Sequence, residues 1–168
     1  MLAILVLTLL AQSRMLGQNR TGQETGDGVK SADPVDQQKN DTQMEGVWEI
    51  TVTFRNCETN EPLRTRPGLM SFFQGGMMQE FGTGSAPLDR SDAQGVWRHQ
   101  NERKFASTAK AFRFAADGSY AGSLKFYRQI ELGRGGNSLE ATVRSEIFDA
   151  NNILIGRGCA TETGTRLE

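Results

Sequence analysis

The sequence predicts an all-β fold: an eight-stranded antiparallel up-and-down β-barrel, a meander, with little or no helix. Three observations carry this. From Gly46 onward, apolar and polar residues alternate in runs that are separated by turn signals. No window long enough for a stable helix keeps a helical period without meeting such a signal. Nineteen Gly and nine Phe against four Pro suit a turn-rich β chain.

The elements follow in chain order. Residues 1–18, "MLAILVLTLLAQSRMLGQ", open with an apolar run from Met1 to Leu10 and continue into Ala11-Gln12-Ser13. The run is far short of the roughly 20 residues that a spanning helix needs, so the stretch reads as an export signal cleaved after residue 13 or 18. A secreted or periplasmic location and no integral membrane span are expected. Residues 19–43 are polar, with Val29 and Val35 as the only larger apolar residues. Such a stretch buries too little surface to offset its chain entropy, and it is expected to be a disordered linker. The folded domain is therefore placed at 44–168.

Within that domain, Gly46–Arg55 is the first strand. Trp48, Ile50, Val52 and Phe54 share one face, with Glu49, Thr51, Thr53 and Arg55 on the other. A polar stretch, Asn56–Gly68, separates it from a hairpin, Leu69–Phe81, turned by Gly75-Gly76. Further strands are read at Gly95–Gln100, Lys104–Phe114, Ser119–Leu132, Ser138–Phe148 and Ile153–Leu167, with turns at "AADG", "GRGGN" and "DANN". Eight sequential strands leave two unpaired edges, which closure into a barrel removes; an open sandwich is the alternative.

Cys57 follows the first strand and Cys159 lies within the last. In an exported chain the pair reads as one disulfide, although two buried thiols are the other possibility. A bond places the first and last strands side by side. With Cys57 facing Cys159 in antiparallel register, Ile50 falls opposite Arg166.

Several chemistries find little support. Nineteen basic against twenty acidic residues, with no basic block, give no footprint for nucleic acid. His99 is the sole histidine, so no metal site is expected. The Gly133-Arg134-Gly135-Gly136 turn leads into a strand rather than a helix, unlike a phosphate loop. No cofactor is expected and no catalytic residue is assigned; His99 with Glu80 is the one acid/base pair to consider.

Gly46-Val47-Trp48 at the start of the first strand, the eight-stranded meander, and Arg166 near the end of the last strand resemble the calycin superfamily, most of all the lipocalins. The resemblance implies that Trp48 plugs the closed end of a barrel beneath a packed Arg166, with Gly46 bending the chain at the entrance.

The candidate ligand-binding residues of the lumen are Phe54, Phe72, Lys110, Phe112, Phe114, Tyr120, Phe126 and Arg128. If Phe112 and Phe114 point inward, strict alternation takes Lys110 with them. Arg128 shares a face with Tyr120, Leu124, Phe126 and Ile130. A cation inside a barrel needs a partner, which a ligand's anion would supply; a register shift or side chains reaching to the rim is the alternative. The Leu69–Phe81 hairpin is apolar on both faces: Met70, Phe72, Met77 and Phe81 on one, Leu69, Phe73 and Met78 on the other. Its outer face is a candidate surface for a homo-oligomer. The expected function is an exported binding module for a small hydrophobic or amphipathic, anionic ligand. A cyclase- or isomerase-type barrel enzyme and a filled-core envelope interaction module are the alternatives.

Overall fold

The computed structural model of the protein describes residues 44–82 and 89–167. The expected export signal and linker lie outside the described residues. Eight strands follow one another: β1 (Gly46–Arg55), β2 (Pro62–Phe73), β3 (Met77–Gly82), β4 (Ala93–Asn101), β5 (Lys104–Phe114), β6 (Tyr120–Leu132), β7 (Ser138–Phe148) and β8 (Leu154–Arg166). Each pairs antiparallel with the next, and β8 pairs with β1 to close the barrel, so no edge remains unpaired around the wall. No helix is present among the described residues, and hence none that is long and apolar enough to cross a membrane.

β2 begins earlier than the sequence suggests. Pro62–Gly68, read as part of a polar connection, pairs with β1, with Pro67 opposite Thr51 and a register shift that leaves Leu63 without a β1 partner between Pro62 and Arg64. The described pairing of β2 with β3 starts at Gly68, opposite Gly82.

Closure differs from the simplest register. Trp48, not Ile50, stands opposite Arg166, and Cys159 stands opposite Arg55. Cys57 lies two positions beyond Arg55, in the turn that follows β1, and bonds back to Cys159 across a Cα–Cα distance of 5.2 Å. A disulfide made from a turn therefore shifts the ladder by two residues. A shift of two preserves the inward face.

The β2–β3 hairpin carries the most consequential difference. Its loop is Gln74-Gly75-Gly76, three residues rather than two, and Phe73 pairs with Met77. The extra residue reverses the face of β3 relative to a two-residue turn. Met70, Phe72, Met78 and Glu80 point inward and are buried, whereas Leu69, Phe73, Met77 and Phe81 are exposed. The expected grouping of Met77 and Phe81 with Met70 and Phe72 is thus corrected.

The core fills the lower half of the barrel. Trp48, fully buried, donates from Nε1 to the Met44 carbonyl at 3.1 Å, and the Arg166 guanidinium lies 4.3 Å above its ring. Arg166 also donates to the carbonyl oxygens of Glu45 and Gly136, tying the chain entrance to the β6–β7 turn. At Gly46, φ is +123° and a Cβ would come within 2.7 Å of Arg166 Nη1, so only glycine lets the arginine close over the tryptophan. Met70, Phe72, Met78, Trp97, Phe105, Ile130, Leu132 and Leu139 pack around this floor.

Candidate functional site

Above that core the lumen opens. A cavity of about 420 Å³ faces the end that carries the β1–β2, β5–β6 and β7–β8 turns. Its wall is apolar at Val52, Phe54, Phe114, Leu124, Phe126, Val143, Ile147 and Ala160, with Gly158 leaving room beside Ser145.

The candidate residues divide. Phe54, Phe114, Phe126 and Arg128 line the cavity. Phe72 lies in the packed core below it, edge-on to Trp97 at 6.0 Å. Lys110, Phe112 and Tyr120 do not line it: Lys110 and Phe112 are exposed, and Phe112 meets Tyr120 edge-on at 6.0 Å. The inward face of β5 is Phe105, Ser107, Ala109 and Ala111, all buried, so alternation turns Lys110 and Phe112 outward. A register irregularity between Arg113 and Phe114 then leaves both of these against the cavity. The small side chains of β5 make room for Trp97 and Arg128, which lie opposite Ser107 on its two neighbours.

The base of the cavity is an ion network that spans the barrel. Arg128 on β6 is 2% exposed; its Nε donates to both carboxylate oxygens of Glu162 on β8, at 3.1 and 3.0 Å, and its Nη2 donates to Glu80 Oε2 on β3. Arg90 completes the network with a 2.7 Å bond from Nη2 to Glu80 Oε1. Its backbone bridges to Arg113, and a Cβ at Gly82 would collide with its guanidinium at 2.1 Å, so the glycine gives it passage to Glu80. Both guanidiniums approach the Phe126 ring, Arg128 at 5.3 Å and Arg90 at 5.6 Å.

The charged form of each group is set by competition between burial and partners. Burial pushes the Glu80 carboxyl up, but Arg128 and Arg90 outweigh it and hold it below the ordinary carboxylate range. At Glu162 burial wins: it raises the carboxyl, Glu80 adds to the rise, and Arg128 offsets only part of it. Burial disfavours the Arg128 cation, yet Glu162 and Glu80 together raise its pKa. One polar atom of the network is left over. Arg128 Nη1 is buried and has no hydrogen-bond partner among the described residues.

Toward the mouth, Arg64, Arg66 and Arg113 line the cavity together with Asp89. Five lining arginines against the three carboxylates Glu80, Asp89 and Glu162 give a formal excess of two positive charges. Arg64 lies 4.7 Å from the centre of the Phe54 ring, and Arg66 reaches Asp89 at 3.8 Å.

The network was only half visible in the sequence. Arg128 stands out there as a cation among apolar neighbours, but its partners are residues of the chain itself. Glu162 shares the face of Arg166 and Ala160 on β8, and the closing register alone is enough to find it. Glu80 was obscured by the loop length of the hairpin. The acid/base pairing of His99 with Glu80 is not present: His99 Nε2 lies 3.0 Å from the Glu102 carbonyl and its ring sits 5.0 Å from Phe105, six residues along β4 from the Ala93 that pairs with Glu80.

No known protein family, curated protein or solved structure matches this chain. The closed eight-stranded antiparallel barrel is consistent with a lipocalin-like fold.

Proposed function

We propose that this protein is an exported, lipocalin-like barrel that binds a small amphipathic anion in its upper lumen. The apolar tail lies against Phe54, Phe114 and Phe126, and the acidic head is drawn by the arginines. One observation carries the reading: an apolar-walled cavity of about 420 Å³ is lined by five arginines against three carboxylates. A charge-assisted bond from one of these arginines to the ligand's head contributes about 1.5–3 kcal/mol. The Cys57–Cys159 disulfide supports export, because such bonds persist in oxidising compartments.

Titration of decanoate and of its methyl ester, followed by tryptophan fluorescence, tests the proposal. The acid should bind at least about tenfold more tightly than the ester, the loss of one charge-assisted bond. Arg113→Met should weaken the acid selectively, whereas Lys110→Met, on the outer wall, should change neither. Equal binding of acid and ester overturns the anionic part of the reading, and binding of neither overturns the ligand.

A further inference from the structure

We infer that the head of the ligand is a phosphate monoester in its doubly charged form, held at the cavity mouth by Arg64 and Arg113. The inference deepens the proposed function and rests on it. The formal excess of two positive charges belongs to particular side chains. Arg90 and Arg128 are matched by Glu80 and Glu162 in the network at the base. Arg66 is matched by Asp89. Arg64 and Arg113 remain, and neither forms an ion pair among the described residues. Residues 83–88, which precede Asp89, contain no Asp or Glu. The surplus therefore sits at the mouth and not at the base.

Strand parity puts both cations on the lumen side. Arg64 shares the β2 face of Phe72, Met70, Gly68 and Arg66 and stands opposite Phe54 on β1, while Arg113 continues the inward β5 face of Phe105, Ser107, Ala109 and Ala111. Asp89 joins the two strands: its carboxylate meets Arg66 on β2 at 3.8 Å, and its carbonyl accepts from the Phe114 amide on β5 at 3.1 Å. Arg64 and Arg113 thus approach the mouth from either side of Asp89. Of the five N–H donors that each guanidinium carries, few are used. Arg64 rests 4.7 Å from the centre of the Phe54 ring, and Arg113 donates one long bond, 3.4 Å, to the Phe148 carbonyl. The remaining charged groups nearby are Arg66, Asp89 and Arg90 on the lumen side and Arg55, Glu58 and Arg157 in the groove outside Arg64. A carboxylate head brings one charge and leaves one of the two cations uncompensated. A phosphate monoester brings two charges and three acceptor oxygens, enough for two planar guanidiniums at once.

Decyl phosphate and decyl sulfate are the probes, because the sulfate keeps one charge throughout whereas the phosphate gains its second near about pH 6. Tryptophan-fluorescence titrations at low salt, from about pH 5 to about pH 8, should show the ratio of phosphate to sulfate affinity rising about tenfold. Titration of Asp89, Glu80 or Glu162 is common to both probes. Arg64→Gln and Arg113→Gln should each reduce the rise and together abolish it, whereas Lys110→Gln, on the outer wall, should leave it intact. If the double variant does not fold, the ratio in the unaltered protein decides. Inorganic phosphate should bind at least about a hundredfold more weakly than decyl phosphate, since it has no tail for the apolar wall; equal binding would mark a free-anion site and overturn the inference. A ratio that stays flat while both probes bind overturns the inference and leaves the proposed function standing. Absence of binding by both probes and by decanoate overturns both.

Discussion

Glu80 and Glu162 reach the same arginine from β3 and β8, so that Arg128 on β6 joins three parts of the barrel wall across its lumen. The two carboxylates differ in what remains when that arginine is removed. Glu80 retains Arg90 at 2.7 Å, whereas Glu162 is left buried without a cation.

Arg128→Met should therefore destabilise the barrel by about 3–5 kcal/mol at neutral pH, the range for orphaning a buried charge. Arg128→Met combined with Glu162→Leu should recover most of that loss, because the remaining Glu80–Arg90 pair stays intact. Urea midpoints of the two variants check this; a double variant no more stable than the single would show that the network acts by packing and not by charge.

The two carboxylates should give stability opposite slopes with pH. Glu80, held below its ordinary value of 4.5, contributes stability that is present above that value and lost as pH falls through its folded pKa. Glu162, raised above 4.5, contributes stability that is present below that value and lost as pH rises through its folded pKa. The urea midpoint should pass through a maximum in mildly acidic solution. Glu162→Gln should flatten the alkaline side and Glu80→Gln the acidic side; unchanged limbs in both variants would contradict the assignment.

Cys57–Cys159 closes a loop of 102 residues and fastens the β1–β2 turn to the last strand at the cavity mouth. Cys159→Ser should cost about 2–5 kcal/mol, and the unreduced chain should show no titratable thiol after denaturation. Because β1 and β8 still pair over eight residue positions without the bond, the variant should keep the barrel's circular dichroism.

Much of the fold was legible because period-two alternation, turn residues and one cysteine pair all point to a closed meander. The roles of Trp48, Arg166 and Gly46 came from the resemblance to the lipocalins, whereas the cysteine pair alone put Arg166 two residues off, opposite Ile50. What alternation does not supply is the parity of each strand relative to the next, which depends on loop length and bulges. One extra residue in the Gln74–Gly76 loop takes Glu80 inside and sends Phe81 out. On β5, Phe112 and Phe114 outweigh Phe105 as a hydrophobic signal, but the inner face is the one carrying Ser107, Ala109 and Ala111, chosen because Trp97 and Arg128 need the space. Small residues are weak signals in a hydrophobic pattern even where they decide packing.

A crystal structure of the protein with decanoate carrying a terminal bromine tests the central claim most directly. The account predicts anomalous density for bromine in the upper lumen, with the carboxylate within hydrogen-bond distance of one of the lining arginines. Bromine found only on the outer wall, for example over Phe73, Met77 and Val96, with the lumen holding none at saturating ligand, would contradict it.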